Sequence, residues 1–177
     1  NHALESAGVH VVESDLGEFI IQLAGETPSH ILAPALHKTR AQVGKLFEEN
    51  LNARYTDDPF ALNGIARAYL RDIFLSADMG ISGVNFGVSE SGTVSLVTNE
   101  GNGRFTTTAP RIHVALMGME RLVPTLADLA TMLPVLEVSS TGQKLTVYNN
   151  LITGPRRPGE LDGPEELHVV ILDNGRT

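Results

Sequence analysis

The 177-residue chain contains no cysteine and no tryptophan, and its six phenylalanines and three tyrosines make up only 5% of it. Without thiols it can form no disulfide, hold no thiolate-ligated metal and offer no cysteine nucleophile. With so few rings, the core has to be assembled from Leu, Val, Ile and Ala. Positive charge is also scarce: 13 Lys and Arg stand against 21 Asp and Glu, for a net charge of −8. A chain of that balance has no basic face for phosphate backbones, which argues against a nucleic-acid partner. Its single pair of adjacent arginines is Arg156-Arg157. No signal-peptide pattern and no run of 18 apolar residues is found, so no membrane insertion is expected and a cytoplasmic location is. The nucleotide and zinc-protease fingerprints GxGxxG, GxxxxGK[ST] and HExxH do not occur.

What is present suits one domain over 1–177, since 42% of the residues are hydrophobic and a chain of this size buries roughly 70% of its unfolded surface. Residues 1–7 read as a helix closed by Gly8, and Val9–Val12 as a short buried strand. Asp15 with Glu18 three residues later has capping-box spacing ahead of "FIIQL", and "HILA" at 30–33 reads as a strand. Thr39-x-x-Gln42 repeats the capping signal before a stripe of Val43, Leu46, Phe47 and Leu51. Asp58-Pro59 opens the strongest helix, with Leu62, Ile65, Ala66, Tyr69, Leu70, Ile73 and Phe74 at steps of three and four.

From Met79 the period changes. "MGISGVNFGVSESG" is Gly-rich and irregular, "TVSLVT" alternates as a strand, "NEGNG" is turn chemistry, and "RFTTTAPRIHVALMG" reads as extended. Pro124 is expected to open a helix that Pro134 ends. "LTVYNNLIT" and "ELHVVILDN" are two further strands around a Pro/Gly-rich loop. Several strands lack polar alternation, which predicts an α/β fold whose mostly parallel sheet is flanked by helices, with a β-hairpin region. In such folds ligands bind at the carboxyl ends of strands.

Two polar clusters bracket the strand 93–98. In "SESG" the Glu90 carboxylate sits in a turn where hydroxyls and amides could orient it and burial could raise its pKa, fitting it for acid or base work. In "NEGNGR", Gly101 and Gly103 permit positive φ, and the loop with Arg104 could form an anion-binding nest. Both clusters equally read as plain turns. His30 and His37 span a strand-to-helix turn and could face a cleft; each also fits a structural role, and no metal ligation is expected. Asn149 and Asn150 end a strand and could bond a ligand. Asn85, Glu90, Asn99 and Arg104 are expected to line one concave surface.

Four stretches, "VVESDLGEFIIQL", "PSHILAPALHKTR", "GISGVNFGVSESGTVSLVTNEGNGR" and "RIHVALMGMERLVPTLADL", closely resemble the LUD domain of the LutB-like lactate-utilisation proteins, and the likeness covers residues 4–173. The resemblance implies a NagB/RpiA/CoA-transferase-like fold. It implies a role with partner subunits in oxidising L-lactate to pyruvate, with 4Fe-4S clusters carried on a Cys-rich segment that this chain lacks, so no cofactor is expected on the chain itself. The chain accordingly reads as a fragment of a longer iron–sulfur protein, truncated at both ends and able to pair as a homodimer. Carried over residue by residue, the family pattern falls on Glu90 as the catalytic candidate. For binding a small carboxylate or phosphate anion it falls on Asn85, Ser91, Thr93, Asn99, Glu100, Asn102, Arg104, His30 and His37. In related CoA transferases a Glu-x-Gly turn supplies the nucleophile, which matches Glu90-Ser91-Gly92. The alternatives are a non-catalytic scaffold that docks partner subunits, or a CoA-transferase-type or sugar-phosphate-type enzyme domain.

Overall fold

The computed structural model describes residues 2–30, 33–173 and 175. Its backbone divides into two compact units, 1–73 and 74–177.

The first unit is helical: α1 (His2–Ser6), α2 (Leu16–Ala24), α3 (Arg40–Leu51) and α4 (Pro59–Ser76), whose last turn runs on into the second unit. Each main helix starts where the sequence places a cap. Asp15 accepts from the Gly17 amide, Thr39 and Gln42 form a reciprocal capping box, and the Asp58 carboxylate accepts from the Ala61 amide at 2.8 Å. The apolar faces meet at Phe19, whose ring lies 6.3 Å from that of Phe47 and 5.5 Å from that of Tyr69. Residues 9–12 are irregular instead of a strand. Among the described residues they have no partner strand; the side chain of Gln22 bonds the Val11 carbonyl (2.7 Å) and the Glu13 amide (2.9 Å) in its place. The strand expected at 30–33 includes Ile31 and Leu32, which lie outside the described residues.

The second unit holds two sheets. Strands β1 (Met79–Gly83), β4 (Ile112–Gly118) and β7 (Glu166–Leu172) form a parallel sheet in the order β1-β4-β7. Strands β2 (Phe86–Val88), β3 (Thr93–Thr98), β5 (Leu122–Val123) and β6 (Tyr148–Ile152) form a mixed sheet in the order β5-β2-β3-β6. Within it β2 and β3 make the hairpin, closed at Gly92 (φ 68°) by a bond from its amide to the Val88 carbonyl. The architecture is thus mixed α/β, with a parallel sheet flanked by helices and a hairpin region.

Three stretches fold differently from their sequence pattern. "MGISG" and "NFGV", which look irregular, supply β1 and β2. Their glycines answer to close packing: a Cβ on Gly80 would stand 1.8 Å from the Thr106 carbonyl oxygen, so only glycine lets the next helix lie against the sheet. That helix is α5 (Asn102–Thr108), where extended chain was expected. Its threonines have strand propensity, but Thr107 Oγ1 donates to the Gly103 carbonyl and Thr108 Oγ1 to the Arg104 carbonyl, one turn back, which accommodates them in a helix. The later helix, α6 (Leu126–Thr141), begins at a Thr125–Asp128 capping box and passes through Pro134 to end at Gly142 (φ 72°). Proline costs it one backbone bond, but Leu129, Leu133 and Leu136 packing on Phe86, Val88 and Val123 hold it together across that break.

Candidate functional site

The site is built at the free edge of β6. There α5, the strand and the loop 153–164 enclose a cleft of about 600 Å³, lined among others by Arg104, Thr108, Asn150, Thr153, Arg156 and Arg157. Three arginines thus line one cleft, together with Glu160 and Asp162, in a chain of net charge −8. Two are anchored: Arg104 Nη2 is 2.8 Å from Asp162 Oδ2, and Arg156 Nη2 is 3.0 Å from Glu165 Oε1. No carboxylate among the described residues pairs with the guanidinium of Arg157. Its backbone amide donates to Glu160 at 2.7 Å, and the Arg156 amide donates to the Pro164 carbonyl at 2.7 Å. These bonds fold the Pro/Gly-rich loop back on itself and present the adjacent arginines to the cleft.

Its wall is polar. A chain of hydroxyls runs from Ser91 through Thr93 to Thr153, with Oγ separations of 2.8 and 2.7 Å, and Thr153 lines the cleft. Asn150 Nδ2 is buried and has no hydrogen-bond partner. An arrangement of guanidiniums, hydroxyls and an amide suits a carboxylate or phosphate, since each contributes donors to a negatively charged oxygen.

Of the residues singled out in the sequence, Arg104, Asn149 and Asn150 line this cleft, and Thr93 with Ser91 reaches it through Thr153. Asn85, Glu90 and Asn99 are not in its lining. Glu90 is exposed rather than buried, and its Oε1 accepts from the Leu126 amide at 2.9 Å, at the first turn of α6. Asn85 Oδ1 accepts from the Val97 amide at 2.8 Å, tying β2 to β3. Asn99 bonds Gln143, Thr146 and the Val147 amide. Asn102 Oδ1 accepts from the Gly103 amide at 2.8 Å; Glu100, exposed, has its amide bonded to Thr98 Oγ1.

The expected glycine nest is not formed. Gly101 has φ −75° and Gly103 lies inside α5, so neither takes a positive φ. Gly103 instead makes room for Thr98, whose Cγ2 would be 3.1 Å from an added Cβ. In the first unit, His37 is bonded at both ring nitrogens, to Ser29 Oγ and Glu26 Oε2, each at 2.8 Å. His30 Nδ1 accepts from the Ala33 amide at 3.2 Å. The Lys38 ammonium, and after it His37, hold the Glu26 carboxyl below its usual range.

The sequence reading passed over two kinds of residue. Arg156 and Arg157 were visible as the only adjacent arginines, and the prolines and glycines around them were the signal of a shaped loop. His113 had no such signal. It lies in β4, fully buried, with Nε2 2.8 Å from Ser82 Oγ and Nδ1 unpartnered. Burial pushes its pKa down to about 4, so the ring is neutral at pH 7.

A parallel sheet, a mixed sheet and a polar cleft at the free edge of the mixed one define an α/β domain. The chain belongs to the LUD domain family, whose model matches residues 3–172. It is 53% identical over 178 residues to lactate utilization protein B of Bacillus licheniformis and 50% identical to that of Bacillus subtilis. It is also 49% identical to an Escherichia coli protein named uncharacterized electron transport protein YkgF. All of this chain is covered in each case, but it spans only 37% of the length of these relatives. Among solved structures, a DUF162 family protein from Deinococcus radiodurans superposes with a TM-score of 0.39 at 16% identity, covering 96% of this chain and 92% of that one.

The iron–sulfur clusters implied by the family likeness do not fit the residues present here. The chain has no cysteine, and among the described residues no group of three or more His, Asp or Glu could hold a metal ion. No described helix is long and apolar enough to cross a membrane.

Proposed function

We propose that this LUD domain binds the substrate anion in a lactate-utilisation protein that takes part in oxidising L-lactate to pyruvate. The observation that carries the reading is the arginine-lined cleft at the β6 edge, in an otherwise acidic chain about half identical to proteins named lactate utilization protein B. The acid's carboxylate is held by Arg157, whose guanidinium pairs with no carboxylate among the described residues, with Arg104 sharing its charge between the ligand and Asp162. Thr153 donates to a carboxylate or hydroxyl oxygen, and Glu160, also in the lining and with Oε2 accepting from the Arg157 amide, takes the hydroxyl proton through Oε1. The Cα–H bond breaks as the C=O bond forms: its proton passes to a base and the two electrons to an acceptor, both elsewhere in the longer protein, in keeping with a Cys-rich cluster segment outside this chain. This chain's share is therefore binding, orientation and acceptance of the hydroxyl proton.

The test is L-lactate-dependent reduction of an artificial electron acceptor by the full-length protein assembled with its partner subunits. Arg157→Ala should raise KM about tenfold or more, the effect of losing one charge-assisted bond, and leave acceptor reduction by a chemical reductant unchanged. An unchanged KM would place the substrate elsewhere.

A further inference from the structure

We infer that the cleft is also a strand-addition groove: the free edge of β6 takes an extended, acidic segment of a partner polypeptide as a fifth strand of the mixed sheet. The register fixes which backbone groups are available. In β3, the Ser95 carbonyl accepts from the Asn85 amide at 2.9 Å and the Val97 amide donates to Asn85 Oδ1 at 2.8 Å. Both residues therefore turn their polar groups toward the β2 side. Their β6 partners across the ladder are Leu151 and Asn149. In an antiparallel pair, residues facing each other point the same way relative to their shared ladder, either both inward or both outward. Asn149 and Leu151 thus direct their N–H and C=O groups away from β3, and β6 is the last strand in the order β5-β2-β3-β6.

No backbone bond to either residue closes that edge among the described residues. The edge is not blunted by proline or lysine; it opens onto the cleft, whose lining includes the unbroken run Asn149–Pro155. The opposite wall is α5 with Arg104, and the loop with Arg156 and Arg157. A strand edge facing a helix across a groove is the geometry by which extended peptides are bound, main-chain bonds giving affinity and side-chain pockets giving selectivity. Three arginines along the groove outnumber its two acidic lining residues, Glu160 and Asp162, and Arg157 has no carboxylate partner among the described residues, so the groove favours acidic side chains or a terminal carboxylate. A groove of about 600 Å³ also exceeds what a three-carbon acid fills.

This inference does not depend on lactate being the ligand. The probe is a fluorescein-labelled octapeptide of alternating valine and glutamate, with a valine–lysine octapeptide as control, added to the 177-residue chain. Fluorescence polarisation should show saturable binding of the glutamate peptide, at least about tenfold tighter than the control. Amide exchange followed residue by residue by NMR should show the Asn149 and Leu151 amides, fast in the free chain, becoming protected. Leu151→Pro removes the outward donor and leaves the β3 ladder intact, and should weaken binding about tenfold. If that variant does not fold, Arg157→Glu in the cleft carries the test, with the same expected loss.

Equal affinity for the two peptides, or binding that leaves the Asn149 and Leu151 amides unprotected, would overturn the inference. So would protection that rises with protein concentration in the absence of peptide, since the occupant would then be a second copy of the chain. Saturating L-lactate, which carries no strand backbone, should protect neither amide, so failure of the lactate reading and failure of this one are separable.

Discussion

Glu18 shows how a single side chain can couple the fold to pH. It follows the N-cap of α2, and one of its oxygens is buried without a partner. A side-chain hydrogen bond with Asp15, then burial, then the Asp15 charge raise its pKa from 4.5 to about 7. A carboxyl whose folded pKa is raised binds more protons in the native state, so its contribution is full below pH 4.5 and is lost as pH rises through 7. His113 acts in the opposite sense: burial lowers its pKa from 6.5 to about 4, so stability is lost as pH falls across that window. Comparison with Glu18→Gln isolates the first effect. The wild type should lose stability relative to the variant between pH 5 and pH 7.5, by up to roughly 1.4 kcal/mol per pH unit, read from urea unfolding at each pH. Parallel stability curves would show that Glu18 is not protonated in the fold.

Glu90 illustrates the limit of reading a residue from its neighbours. "SESG" is compatible with a nucleophile, a ligand or a turn, and the local pattern cannot choose because the deciding contact, with the Leu126 amide, comes from 36 residues away. That contact makes a definite prediction. Glu90→Ala should destabilise the chain by about 1 kcal/mol through loss of a helix N-terminal acceptor, lowering the melting temperature by roughly 2–4 °C. Glu90→Gln keeps an acceptor oxygen and should cost less. A loss of activity in Glu90→Gln with no change in melting would instead mark the carboxylate as chemical.

At the scale of elements, helices α2, α3 and α4 were legible because their caps and apolar stripes are local, and β3, β4, β6 and β7 because their apolar runs are long enough to stand out. The elements misread are those whose form is set by packing. Gly80 and Gly87 look like loop residues, yet their missing side chains admit the Thr106 carbonyl and the Met117 thioether, contacts to chain segments far along the sequence. α5 carries three consecutive threonines and passes for a strand until its hydroxyl-to-carbonyl bonds are seen. Gly80→Ala tests the packing account. Its added methyl has to displace backbone, so a destabilisation of about 1–3 kcal/mol is expected. Because α5 carries Arg104 and Thr108 into the cleft, anion binding should weaken as well. Full stability in Gly80→Ala would show that α5 does not press on β1 as described.

For the whole molecule, a charge of −8 means that anions are repelled at long range and must be held by local geometry. Three members of the cleft, Arg104, Asn149 and Asn150, were legible in the sequence as ligand candidates; Arg156 and Arg157 belong to a loop whose fold depends on bonds to Glu160, Pro164 and Glu165. The most direct test of the central claim, that this cleft is an anion site, is calorimetric titration of pyruvate and L-lactate into the 177-residue chain at constant ionic strength. The account predicts saturable one-to-one binding that weakens about tenfold in Arg157→Ala and is partly restored in Arg157→Lys, with the melting temperature of the free protein unchanged. No heat of binding in the wild type, or equal affinity in wild type and Arg157→Ala, would contradict it.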